Sequence, residues 1–271
     1  MRAHRASATA RLIARAQILI AAEPAFAHYV PPEDRAMAAA CLRAGGFDAW
    51  PTWCSHKGFR SVLWRLERAL LPGIVLHYAL RKRRIAAWVD QALVSGIRQL
   101  VVIAAGFDAL GQRVGRSHPA VARCELDHPA TQALKRLAIA DRDPGLRLVP
   151  IDLAKQDLSD GLVRAGMRSD ERATIVIEGL LMYLDERQVR SLLRQLAQAT
   201  APGSMLALTA MTARAFIGGS RAISWWLRRV NEPFRWHVRG DALGALLADT
   251  GWSLVELADH RALAGLLRRP A

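Results

Sequence analysis

The sequence predicts an α/β protein built on a mostly parallel sheet with helices on both faces. Three observations lead there. From residue 100 onward, short apolar runs rich in β-branched residues alternate with segments of helical period. The first four runs stop on a glycine or an acid, at Gly106, Asp127, Asp152 and Glu178. At 271 residues and 52% apolar content the chain can bury the core of one large α/β unit with additions.

Residues 1–95 read as an N-terminal helical extension packing on the core, with breaks at Pro31-Pro32, Gly45-Gly46, Pro51 and Pro72-Gly73. Ser7 opens its first helix. Residues 12–22 are the nearest approach to a membrane span, but the run is too short and carries Arg15. Glu23-Pro24 follows it with no small-residue cleavage site, so it reads as an amphipathic helix and not a secretory leader. Trp50, Trp53, Phe59 and Trp64 make either core packing or an aromatic wall for a substrate. Residues 74–93 form a helix that carries His77, Tyr78 and the basic block Arg81-Lys-Arg-Arg84.

Residues 96–271 read as the core. Its first strand, 100–105, is apolar throughout, as a strand buried on both faces should be. Strands at 123–127, 146–152, 173–178 and 204–211 follow, with helices beginning at Pro129 and at Asp185, an N-cap. Residues 212–238 interrupt the alternation and hold Phe216, Gly218-Gly219, Trp225, Trp226, Phe234 and Trp236. That length and composition suit a helical lid. Asp241 caps another helix with Gly251 at its C′ position, and residues 253–258 read as a sixth strand. Right-handed crossovers between parallel strands would bring Gly106, Asp127, Asp152 and Glu178 to the carboxyl edge, where such sheets bind ligands.

Lysine and arginine outnumber aspartate and glutamate by 38 to 24, a formal charge of +14. The excess is scattered, and no basic stripe is interleaved with aromatics. The pattern therefore favours an arginine-rich solvated surface over a nucleic-acid binder. The three cysteines, Cys41, Cys54 and Cys124, share no metal-ligand spacing, so no metal is expected, and a reducing cytoplasm is the simplest setting.

Asp127 follows Gly106 by 21 residues, the spacing at which a carboxylate on the second strand reaches a ribose diol. A surface cap for the next helix is the alternative. Asp152 could face an adenine amino group or cap a turn. Only Gly106 and Gly111 stand where a pyrophosphate cradle wants a fuller glycine set, so a cofactor with a ribose and no phosphate fits better, as S-adenosylmethionine does.

Several segments, in order over almost the whole chain, resemble the leucine carboxyl methyltransferase-like group of class I S-adenosylmethionine-dependent methyltransferases, which includes polyketide O-methyltransferases of the tetracenomycin type. They are Ala8-Thr-Ala10, Ala79-Leu-Arg-Lys-Arg83, residues 99–108 with Arg113, Glu125-Leu-Asp-His-Pro-Ala-Thr131 with Lys135, Val149-Pro-Ile-Asp-Leu153, Glu178-Gly-Leu-Leu-Met-Tyr-Leu184, and Pro233-Phe-Arg-Trp236 leading to Gly251-Trp252. The resemblance implies a Rossmann-like core and O-methyl transfer to a carboxylate or hydroxyl of a small molecule, such as a secondary metabolite. It also implies that Arg81 contacts the cofactor's carboxylate, Gly106 lets the loop pass its methionine part, Asp127 holds the ribose, Asp152 and Leu153 flank the adenine, and Glu178 lies by the amino group. A solvated helix face is the alternative for Arg81; for the whole, the alternatives are an RNA-directed methyltransferase or nucleic-acid binder, suggested by the basic charge, and a non-catalytic cofactor-binding relative.

A carboxylate acceptor needs no base, whereas a hydroxyl gains from one, and His77, His237 and Tyr183 are the candidates. The sequence departs from the family at Ala104, where glycine is common; an alanine there requires backbone angles in the β region. It departs again after residue 260, where a closing seventh strand is expected and residues 261–267 read as helix. A missing last strand would expose a sheet edge or invite a partner, a homodimer included, and no membrane association is expected.

Overall fold

The computed structural model describes residues 6–139, 143–212, 225, 227–230, 232–238 and 241–268. Helix α1 (Ala8–Ala22) starts where the sequence says it should, because the Ser7 hydroxyl accepts the Ala10 N–H at 3.0 Å. Helix α2 (Pro32–Ala44) places Pro32 at its first position, where a missing N–H costs nothing. Next come α3 (Ala49–Ser55) and α4 (Lys57–Leu70). Pro51 does not break the chain as expected. It lies in the first turn of α3, where its nitrogen has no carbonyl to bond, and the break falls at His56. Gly73, at a φ of 83°, turns the chain into α5 (Ile74–Val94).

The alternating part gives β1 (Gln99–Ile103), α6 (Leu110–Ser117), β2 (Ala122–Asp127), α7 (Pro129–Ile139), β3 (Leu146–Pro150), α8 (Leu158–Arg164), β4 (Ala173–Ile177), α9 (Glu186–Gln198) and β5 (Met205–Leu208). Beyond it lie α10 (Ala242–Ala248) and α11 (His260–Gly265). Among the described residues all pairings in the sheet are parallel and the order is β3-β2-β1-β4-β5. Ile103 stands opposite Leu126 and Ile177. The next residue of each strand, Ala104, Asp127 and Glu178, therefore lies along one edge.

Both faces of the sheet are covered, which is why β1 and β4 are apolar without alternation. Val101, Ile103, Leu126 and Ile175 pack with α8, α9 and α10. Leu100, Val102 and Val176 pack with α5 and α6. Helix α9 shows the local logic: Asp185 and Gln188 form a reciprocal capping box, and Val189, Leu192, Leu193 and Leu196 are buried. Each such side chain contributes roughly 1.5–3 kcal/mol of burial. A third cluster joins α1, α2 and α5 to Phe107 and Ala109, so the N-terminal helices rest beside the loop after β1.

Two expectations at the end of the chain need correction. Residues 253–258 are not a sixth strand: they pair with nothing in the sheet, and Leu254, Val255 and Leu257 are exposed. Alternation marks an extended backbone but cannot supply a partner, and this segment is tied to α5 instead, through Glu256 to Trp88 and Arg84. Among the described residues the sheet ends at β5. Gly251, at a φ of 90°, lies one position beyond C′, because the helix caps at Asp249. Much of the expected lid, including Phe216, Gly218, Gly219 and Trp226, lies outside the described residues. Of the rest, Trp236 is buried and Phe234 stacks at a tilt on Tyr183 with centroids 5.5 Å apart. No helix of the described residues is long and apolar enough to cross a membrane.

Candidate active site

The loop after β1 is the floor of the site. Ala104 donates to Leu126 O at 2.7 Å, extending the ladder by one residue, and the chain then turns so that Gly106 N–H reaches Asp127 Oδ2 at 2.5 Å. Making this turn takes a left-handed backbone at both Gly106 (φ 53°) and Ala104 (φ 54°). The β-region geometry expected for Ala104 is thus overturned. The ladder bond holds its nitrogen while the loop has to fold back toward Asp127, and a left-handed alanine costs about 1–2 kcal/mol. Strain of this kind persists where surrounding bonds over-determine the conformation.

Asp127 sits at the tip of β2. Its second oxygen accepts the His128 N–H at 2.6 Å. Burial pushes its carboxyl above the ordinary range, opposed by those two backbone N–H bonds. Each carboxylate oxygen keeps a lone pair beyond its backbone bond, so the group can still accept from a diol. Asp152, past β3, caps its own turn by accepting the Ala154 N–H at 3.1 Å and faces His128 Nε2 at 3.9 Å. Leu153 beside it is half-buried against the main core. The second glycine, Gly111, serves packing: a Cβ there would come within 2.7 Å of Glu125 Oε1 and 2.9 Å of Leu146 Cδ1, so its absence lets α6 lie against β2 and β3.

Arg81 and Glu178 meet, although they are 97 residues apart. The Arg81 guanidinium donates to Glu178 Oε1 from Nη2 at 2.6 Å and from Nε at 3.0 Å. Its alternative, a solvated helix face, does not hold, because its side chain is only 12% exposed. Sequence reasoning missed the rest of this cluster. Lys82 donates to Glu178 Oε2 at 3.1 Å and also to Asp108 Oδ2. Burial works against the Lys82 ammonium, but the Asp108 and Glu178 carboxylates outweigh it and hold its pKa above the usual range. Asp108 is likewise buried, yet Lys82 and Arg113 hold its carboxyl well below the usual range. Farther in, Asp34 is 2% exposed and faces Arg113 at 3.4 Å. Burial, and then the Asp108 charge, raise its pKa to about 6. The signal for Lys82 was its place in the basic block; Asp34 gave none.

The candidate bases differ in character. Half-buried His77 has its pKa lowered to about 4 by burial and the Arg81 charge, so its imidazole is neutral at pH 7. Burial raises the Tyr183 phenol, which donates to Thr9 Oγ1 at 3.0 Å and stays protonated. His237 is exposed next to buried Trp236. A clasp unforeseen from sequence lies above Tyr183: Glu232 accepts the N–H groups of Ala8 at 2.9 Å and Thr9 at 3.0 Å, and the Thr9 hydroxyl at 2.6 Å, satisfying the free end of α1.

The family model for leucine carboxyl methyltransferase matches residues 33–197. A protein of Mycobacterium bovis, named as a candidate S-adenosyl-L-methionine-dependent methyltransferase, is 31% identical over 246 residues, covering 86% of this chain and 72% of its own length. A similarly named protein of Frankia alni is 38% identical over 135 residues, 48% of this chain. The matched part spans 47% of that protein's length and, for a second Mycobacterium bovis relative at 30% identity over 200 residues, 62%. Among solved structures, a candidate methyltransferase from Thermobifida fusca superposes with a TM-score of 0.55 at 21% identity, covering 78% of this chain and 79% of that one. A DUF574 family protein from Streptomyces avermitilis gives 0.51 at 17% identity, covering 90% and 83%. At those identities the likeness shows the fold: a parallel α/β sheet with flanking helices.

Proposed function

This chain belongs to the leucine carboxyl methyltransferase family, and from that premise we propose that it transfers a methyl group from S-adenosylmethionine to a carboxylate or hydroxyl oxygen of a small molecule. The observation that carries the reading is the row of groups on one sheet edge: Gly106 N–H on Asp127, then Glu178 paired with Arg81. These residues fit the cofactor's chemistry. A zwitterionic methionine end needs one cation and one anion, and Arg81 and Glu178 offer both within one hydrogen-bonded pair. A ribose diol needs a charged acceptor with spare lone pairs, which Asp127 keeps.

In this reading Asp127 holds the ribose, Asp152 and Leu153 border the adenine, Arg81 takes the carboxylate, Glu178 takes the ammonium, and Gly106 lets the loop backbone approach without a side chain. When bound, S-adenosylmethionine supplies a sulfonium methyl group open to in-line attack by oxygen. The protein's share is then to hold the acceptor oxygen in line and keep water out. A carboxylate acceptor is already ionised and requires no proton transfer. For a hydroxyl acceptor, His77 is neutral and able to accept a proton, but its lowered pKa makes it a weak base, while protonated Tyr183 is a donor. The buried free cysteines suit a reducing compartment such as the cytoplasm.

Calorimetry with S-adenosylhomocysteine tests the cofactor reading. Wild-type protein is expected to bind, and Asp127→Ala to bind at least about tenfold more weakly, since a charged hydrogen-bond partner is lost. Equal binding by both, or none by the wild type, would sink it. Mass spectrometry of products from carboxylate and phenol acceptors then separates the two kinds of O-methyl transfer.

A further inference from the structure

The charged cluster at the sheet edge holds more groups than a ligand's zwitterionic end requires. Arg81 reaches Glu178 through Oε1 alone, with both of its bonds on that oxygen. Oε2 belongs to Lys82, at 3.1 Å. Lys82 is in turn held by Asp108 Oδ2, while Asp108 Oδ1 accepts the Leu110 N–H at 2.8 Å at the start of α6. The Lys82, Asp108 and Glu178 side chains are 10–11% exposed, so their charges are poorly screened by water.

This arrangement has two unequal halves. Oε1 and Arg81 can part if the guanidinium turns to a carboxylate that enters the site. Glu178 Oε1 would then be left without its partner in a setting with little water. The Lys82 bond to Oε2 still holds the carboxylate in place, because Lys82 is itself anchored by Asp108. Oε1 is thereby kept turned to whatever replaces Arg81.

We infer that Lys82 and Asp108 are a positioning pair that presets Glu178 to receive an ammonium ion, so that the site selects the zwitterionic end of its ligand. The inference rests on the cofactor reading above and goes beyond it: neither residue is a ligand contact, and both act through Glu178.

Two nucleosides separate this role from a structural one. S-adenosylhomocysteine carries the amino-acid end, and 5′-methylthioadenosine shares the nucleoside and the thioether but lacks that end. In calorimetric titrations Lys82→Met is expected to weaken S-adenosylhomocysteine by about tenfold or more and to leave 5′-methylthioadenosine within about twofold, with Lys82→Arg restoring most of the loss. Should Lys82→Met fail to fold, Asp108→Asn keeps an oxygen for the Leu110 N–H, removes the anchor of Lys82, and is expected to show the same ligand-selective loss. Loss of both ligands alike, or of neither, overturns the inference while leaving the cofactor reading intact. A wild-type protein that binds neither nucleoside overturns the cofactor reading, and the inference falls with it.

Discussion

Ala104 has a left-handed backbone because its N–H is committed to Leu126 O while Gly106 has to turn back to Asp127. Glycine at that position avoids the Cβ clash, at the cost of a freer unfolded chain. Ala104→Gly is therefore expected to gain about 0.5–1 kcal/mol, a rise of roughly 1–4 °C in melting temperature for a chain of this size. A melt unchanged or lowered would show that the alanine is not strained. His77 makes a second prediction at this scale. Its pKa is about 4 in the folded protein against an ordinary 6.5. The unfolded chain thus binds more protons between those values, and folding stability falls as pH drops from about 6.5 to about 4. Asp34, raised to about 6, works in the opposite direction, but it is common to wild type and variant and cancels from their difference. Denaturant melts of His77→Gln across that range are expected to fall less steeply than those of the wild type; parallel curves would show that His77 is not buried as a neutral ring. Gly106, Asp127 and Glu178 were legible as single letters because each stands at a strand end, whereas Arg81 entered the site only through the family resemblance. Lys82 and Asp108 were visible as letters too, but their mutual contact was not, since it joins α5 to the loop after β1.

Individual elements were read from sequence where one periodicity and one cap agreed. Helix α9 had both, with Asp185 before it and Leu192, Leu193 and Leu196 on one face. Pro51 misled because a proline breaks a helix interior but is harmless in a first turn, and its position within the turn depends on where the helix begins. Residues 253–258 misled for a different reason, since strand identity belongs to a pair and not to one segment. Helix α1 shows an element secured from a distance: its opening N–H groups are satisfied by Glu232, more than 200 residues away. Removing that carboxylate, as in Glu232→Ala, is expected to cost about 1.5–3 kcal/mol and to make the first turn of α1 more open to protease, because charge-assisted bonds to helix N–H groups are lost without replacement. Limited proteolysis with a melting curve checks this, and an unchanged cleavage pattern would mean that α1 is held by packing alone.

Across the whole molecule, the alternation of apolar runs and helical segments pointed to a parallel sheet buried on both faces, because strands such as β1 and β4 need cover on both sides and the intervening helices supply it. The carboxyl-edge placement of Gly106, Asp127, Asp152 and Glu178 follows from that topology and from the shared register at Ile103, Leu126 and Ile177. Arg81, Arg113 and Arg123 are each paired with a carboxylate and so belong to the fold's own ion pairs. The sequence alone therefore determined the fold class, the order of the first five strands along the chain and the chemical types available near their ends, since periodicity, caps and turn residues are local properties. Only the tertiary structure decided which charges touch, that Ala104 is left-handed, and that residues 253–258 stay outside the sheet. Those outcomes depend on contacts between segments far apart in the chain, where one oxygen of Glu178 is shared out between neighbours that no spacing rule connects.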